Sequence, residues 1–98
     1  MNQFIIVGRI VKDLEKDSNV ITIVIQRHYK NENGEYETDF VDVAIDGTLA
    51  KTTIEYCKKG DIIGVKGSIR SDIINNEKKM ILVAERITFL SSKKEDFQ

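Results

Sequence analysis

Thr48-Leu49-Ala50-Lys51-Thr52-Thr53-Ile54-Glu55-Tyr56-Cys57-Lys58-Lys59, closed by Gly60, is the one stretch of this sequence with helical spacing. Leu49, Ala50, Thr53, Ile54 and Cys57 fall on a single stripe of such a helix. Asp46 or Thr48 can cap its start. Lys58 and Lys59 suit the negative end of its dipole, and Gly60 stands where a left-handed C-cap belongs. On both sides of this segment the apolar residues repeat every second position instead.

Before the helix the pattern predicts three strands. In residues 3–14, Phe4, Ile6, Gly8 and Ile10 share one face, and Ile5, Val7, Arg9 and Val11 the other. Both faces are largely apolar. A single-layer barrel has only one interior, so Ile5, Val7 and Val11 are expected to meet something else, a second subunit at minimum. Gly8 in mid-strand predicts a bend or bulge. After a polar turn, 12–19, the second strand runs over Val20–Tyr29 with Ile21, Ile23 and Ile25 toward the core. Lys30-Asn31-Glu32-Asn33-Gly34 is a hairpin connection, Asn33-Gly34 supplying the positive-φ dipeptide. The third strand spans about Glu35 to Ile45. Its inward residues are Val41, Val43 and Ile45; Tyr36, Thr38, Phe40, Asp42 and Ala44 face outward.

After the helix come two more strands. Asp61–Ser71 places Ile63, Val65 and Ile69 on one face, and Asp72–Lys78 reads as a long polar hairpin containing Ile73 and Ile74. Residues 79–90 set Ile81, Val83, Ile87 and Phe89 against Met80, Leu82 and Arg86. Phe4 and Phe89 are expected in the core, and Tyr56 packed against the barrel. Composition agrees with a sheet protein: Ile and Val together number 23, Leu and Ala together 7. β-branched side chains fit a pleated surface and lose rotamer freedom in a helix. Five short strands must protect their edges, and closure does so. The expectation is an all-β domain over residues 1–91, a five-stranded Greek-key barrel of the OB-fold type, with one helix between strands 3 and 4. A short charged tail, 92–98, follows.

The 98 residues suffice for one domain with one small core. No uncharged apolar run is longer than Phe4–Gly8, far short of a membrane span, and no basic start with a long apolar stretch marks a secretory signal. A lone cysteine, Cys57, forms no internal disulfide, which fits a reducing, cytoplasmic setting. One Cys and one His make no metal site, and no cofactor is expected. No nucleophile–base pair or phosphate loop is visible, so an enzyme is not expected. The net charge is −1. Any electrostatic footprint for a nucleic acid must therefore come from how the charges are distributed.

Several segments together resemble bacterial and phage single-stranded DNA-binding proteins of the homotetrameric OB-fold type. They are Phe4–Ile10 with Lys12-Asp13, Arg27–Glu35, Thr38–Val43, Leu49-Ala50 through Glu55–Asp61, and Ile63–Arg70. No piece is diagnostic alone; their order over residues 4–90 carries the likeness. The resemblance implies sequence-nonspecific binding of single-stranded DNA in replication, recombination or repair, and a homotetramer. It also implies stacking aromatics at Tyr29 and Phe40. Tyr36 and the aliphatic Ile74 are further stacking candidates. Arg9, Lys12, Arg27, Lys30, Lys66, Arg70, Lys78 and Lys79 are the basic candidates for phosphate. Stacking suits nonspecific binding because every base has a π-face, and each stacked base contributes about 1–3 kcal/mol.

This chain departs from the family in three places. Asp46 stands where the family often carries a second third-strand aromatic. Ile73-Ile74 replace an aromatic in the last hairpin. Glu95-Asp96-Phe97-Gln98 follows the barrel almost directly, where relatives have a long linker and an acidic tip that recruits replication and repair proteins. Fewer rings predict weaker affinity. They also keep open a second reading, an OB-fold protein-interaction or primosome-accessory module with little nucleic-acid affinity.

Overall fold

The computed structural model describes residues 1–91; the tail, 92–98, lies outside them. Five strands and one helix follow in the expected order: β1 Phe4–Ile10, β2 Val20–Lys30, β3 Tyr36–Ala44, α1 Gly47–Tyr56, β4 Ile62–Ile74 and β5 Glu77–Ser91. The strands close into a barrel in the order β1-β2-β3-β5-β4. Neighbours run antiparallel except β3 and β5, which meet in a short parallel pairing at Val43↔Leu82 and Ala44↔Val83. This is the OB-fold.

The interior holds Ile10, Ile21, Ile23, Val43, Ile45, Ile63 and Val65, each almost wholly buried. Burying one such side chain stabilises by about 1.5–3 kcal/mol relative to leaving it in water. Phe4, Ile6, Ile25, Val41 and Leu14 pack around them. The helix stripe lies as expected: Ala50, Thr53 and Cys57 are buried, and the Thr53 hydroxyl donates to the Leu49 carbonyl at 2.8 Å.

The helix ends differ from expectation. Asp46 occupies the N-cap but makes no side-chain capping bond; the Ala50 N–H donates to its carbonyl at 3.1 Å, and Gly47, at φ +59°, turns the chain out of β3. Lys58 and Lys59 lie past the last turn. Gly60, at φ +99°, belongs to the turn entering β4. There its N–H donates to Ile10 O and the Ile10 N–H donates to Asp61 O, each at 2.9 Å, stitching the helix exit to the end of β1. The buried Asp61 carboxylate accepts the Lys58 backbone N–H at 3.0 Å and lies 3.5 Å from the Lys58 ammonium.

Gly8 introduces no register shift. β1 pairs with β4 over Phe4–Arg9 and with β2 at Arg9 and Ile10, so it serves both halves of the barrel without a bulge. Gly8 is needed for close approach: a Cβ there would strike the Ile23 side chain and the Val24 carbonyl.

β5 carries a register irregularity that the sequence pattern does not show. Lys66 pairs with Arg86 but Gly67 with Ala84, leaving Glu85 as an extra residue. A bulge reverses the alternation. Before it the inward residues are Leu82 and Ala84, not Ile81 and Val83; after it Ile87 is inward as expected. Phe89 is not core. It lies opposite Ile63, half exposed, its ring 6.3 Å from that of Tyr56 on the helix. The β4–β5 connection is also shorter than the sequence suggests. β4 continues to Ile74, and the turn is only Asn75-Asn76, both in the left-handed region at φ 54° and 66°. That is the two-residue hairpin geometry that asparagine tolerates. Ile69 therefore sits where the ribbon leaves the barrel and is partly exposed.

Burial pushes the Cys57 thiol up to about 11 from 9.0, and the nearby Asp61 charge adds to the shift. The folded chain keeps a proton that the unfolded chain releases. This contribution to stability is present below pH 9.0 and is lost as pH rises through about 11. Melting between pH 8 and 11 is expected to show a larger loss for the wild type than for Cys57→Ala; equal losses would contradict it.

Candidate nucleic-acid interface

Two hairpins leave the barrel, β2–β3 and β4–β5, and they carry the four stacking candidates. Tyr29 is 59% exposed, Tyr36 49%, Phe40 68% and Ile74 44%. None is in the core. Thr22↔Asp42, Val24↔Phe40 and Gln26↔Thr38 define the outer face of the β2–β3 ribbon. Beyond Gln26, β2 takes four steps to Lys30 while β3 takes two from Thr38 to Tyr36. The two surplus residues lie within Arg27-His28-Tyr29. Tyr29 thus sits on a bulge beside the turn, its ring edge-on to His28 at 5.4 Å. Lys30 pairs with Tyr36, and its ammonium lies 5.6 Å from the centre of the Tyr36 ring. The turn is set by Asn31, whose side-chain oxygen accepts the Asn33 N–H at 2.8 Å and the Glu35 N–H at 3.0 Å, and by Gly34 at φ +78°.

On the second hairpin the rungs Arg70↔Ile81, Asp72↔Lys79 and Ile74↔Glu77 share the outer side. Ile69↔Leu82, Ser71↔Met80 and Ile73↔Lys78 continue the inner side. The sequence reading separated Ile73-Ile74 from the strand and so missed that they point to opposite sides. It also did not single out Met80, 78% exposed on the same side as Ile73.

The basic candidates divide. Arg27 is paired within its hairpin: Nε donates to Asp39 Oδ2 at 3.1 Å, Nη2 to Asp39 Oδ1 at 2.9 Å, and Nη1 to Glu37 Oε1 at 2.7 Å. The fork holds the Asp39 carboxyl below its ordinary range and raises the guanidinium further. Arg9 donates to the Gly60 carbonyl at 2.6 Å. Lys79 lies 3.1 Å from Glu77. Lys12, Lys30, Lys66, Arg70 and Lys78 make no ion pair among the described residues. Lys66, however, is opposite both Ile5 and Arg86, so it belongs to the outer wall of β1, β4 and β5.

That wall holds the expected oligomer residues. Ile5 is 67% and Val7 53% exposed, and with Gly64, Lys66, Arg86 and Leu90 they line a shallow groove. Val11 is not part of it: it is half-buried past the end of β1, its N–H donating to the Thr22 carbonyl at 3.0 Å. Asp42 accepts the Thr22 hydroxyl at 2.7 Å, and Asp46 is at the helix start rather than on β3.

Residues 1–90 match the model of the single-strand binding protein family. The chain belongs to that family. Single-stranded DNA-binding protein 1 of Clostridium acetobutylicum is 34% identical, over 97% of this chain and 98% of that protein. Single-stranded DNA-binding protein B of Bacillus subtilis is 34% identical over 78% and 74%. Among solved structures, the Thermus aquaticus single-stranded DNA binding protein superposes with a TM-score of 0.76 at 18% identity, over 96% of this chain and 52% of that one. The Plasmodium falciparum SSB in complex with ssDNA gives 0.72 at 14%, over 93% and 96%. At these identities the structures bear on the fold alone. Single-strand binding proteins are binding proteins rather than enzymes, in line with a sequence lacking a catalytic constellation. No helix among the described residues is long and apolar enough to cross a membrane.

Proposed function

We propose that this chain binds single-stranded DNA without sequence preference, in replication, recombination or repair. Bases stack on Phe40 and Tyr29, with Tyr36 and Ile74 as flanking contacts. Lys30, Arg70, Lys78 and Lys12 hold the phosphates. The observation that carries the reading is the exposure of Phe40 and Tyr29 on a ribbon that also carries Lys30. Exposed aromatic faces beside cations are what nonspecific single-strand binding requires. Family membership and the relatives' names support it.

The oligomer belongs to the same proposal. A second copy covers Ile5 and Val7, and β1 has a backbone edge to offer there, because its pairing with β2 is confined to Arg9 and Ile10. The family implies a tetramer. Sedimentation at tens of micromolar is expected to show an oligomer that Ile5→Asp dissociates. A wild-type monomer, or an Ile5→Asp variant that stays assembled, would contradict this.

Titration of tyrosine fluorescence with oligo-dT tests the binding. Quenching is expected at micromolar protein and low salt, with log K falling by roughly 0.7 per neutralised phosphate as log[salt] rises. No signal at low salt would favour the other reading, a protein-interaction module. The carboxylates of Asp39 and Asp42, on either side of Phe40 in the sequence, are the observation on that side.

A further inference from the structure

We infer that Arg27 is a positioning residue for DNA binding, neutralising Asp39 and Glu37 on the ribbon that carries the stacking rings rather than gripping a phosphate itself. The inference rests on reading the β2–β3 hairpin as the DNA surface. Three of the five guanidinium N–H groups are committed to carboxylate oxygens at 2.7–3.1 Å, two of them as a fork on Asp39. A phosphate would find two N–H groups left, beside two anions already in contact. Asp39 and Glu37 alternate with Tyr36 and Phe40 along β3, so the carboxylates lie on the opposite face of the same thin ribbon. Without Arg27 both would leave uncompensated negative charge on the ribbon that carries the rings.

The contacts also bridge the bulge. Asn31 Nδ2 donates to Glu37 Oε2 at 3.2 Å, so a chain of polar contacts runs Asn31–Glu37–Arg27–Asp39 from the turn down to the Ile25↔Asp39 rung. It spans the segment where β2 carries its two surplus residues, and Tyr29 is one of that segment. The raised Arg27 and lowered Asp39 pKa values have the direction such a network produces.

The slope of log K for oligo-dT against log[salt] separates the two roles, since each phosphate contact on a single strand contributes roughly 0.7 to it. Arg27→Gln is expected to weaken low-salt binding about tenfold through exposed carboxylates, with the slope unchanged. Arg27→Lys, which keeps the charge, recovers part of the loss. Asp39→Asn, which frees Arg27, is expected to tighten binding and steepen the slope by about 0.7. Lys30→Gln, a phosphate contact in the same reading, flattens it by a similar step. A slope that flattens in Arg27→Gln by as much as in Lys30→Gln, or an Asp39→Asn slope equal to wild type, overturns the inference while leaving DNA binding intact. Wild-type protein that does not bind oligo-dT overturns the reading beneath it. Asp39→Asn keeps the test decisive if Arg27→Gln does not fold.

Discussion

Phe40→Ala is expected to weaken oligo-dT binding about five- to a hundredfold, and Tyr29→Ala by a comparable factor, corresponding to about 1–3 kcal/mol for each lost stack. Both rings are more than half exposed, and neither belongs to the core cluster. Truncating an exposed side chain away from special features changes stability by no more than about 0.5 kcal/mol. Affinity should therefore fall while the melting temperature and the sedimentation coefficient hold. The double variant should lose most of the tyrosine quenching as well as the affinity. Unchanged binding in both single variants would contradict the assignment. So would loss of the oligomer in Phe40→Ala, which would make that ring an interface residue.

The converse experiment acts on the barrel. Ile23 is fully buried, pairs across to Ile10 and Val41, and lies against Gly8. Ile23→Ala removes a large side chain from a place where two strands already approach too closely to relax inward. The expected cost is about 2–5 kcal/mol, a large part of the roughly 5–15 kcal/mol that holds a small domain together. At about 4–8 °C per kcal/mol, the melting temperature should drop by roughly 8–40 °C. Ile73→Ala is the control: the same residue type, 73% exposed on the β4–β5 ribbon, expected to change melting little. Both are compared at one protein concentration, because association contributes to apparent stability. Equal effects from the two would contradict the division between barrel core and projecting ribbon.

Strand order, the helix and most of the core were legible because a half-buried strand must alternate and a packed helix must show a stripe. Ile21, Ile23, Val43 and Ile45 had polar or outward neighbours that fixed their side. β5 was harder. Ile81, Leu82, Val83 and Ala84 are all apolar, so alternation has no contrast there, and the extra residue at Glu85 reverses the sides without leaving a mark in composition. The Asn75-Asn76 turn was readable in principle, since asparagine tolerates left-handed backbone. Its flanking Ile73-Ile74 pair, apolar yet exposed, obscured where the strands end.

The candidate site was partly legible. The aromatics and lysines stood out by type, and the hairpin between them by Asn33-Gly34. The ion pairs of Arg27 did not, although a signal existed: stepping back from Lys30↔Tyr36 in regular register brings Arg27 opposite Asp39. The actual ladder has shifted by two residues at that point, and the long guanidinium reaches across the shift to restore the pairing. The position of Lys66 was hidden for a related reason. Only the β1–β4 register reveals that it shares a wall with Ile5.

In the proposed function unpaired bases sit on these rings while the phosphates supply the salt-dependent part. Competition between oligo-dT and an abasic oligodeoxynucleotide of equal length and charge tests it most directly. The account predicts that removing the bases weakens binding at least about tenfold, since more than one stack of about 1–3 kcal/mol is lost, with the slope against log[salt] preserved. Equal affinity for the two oligomers would contradict it.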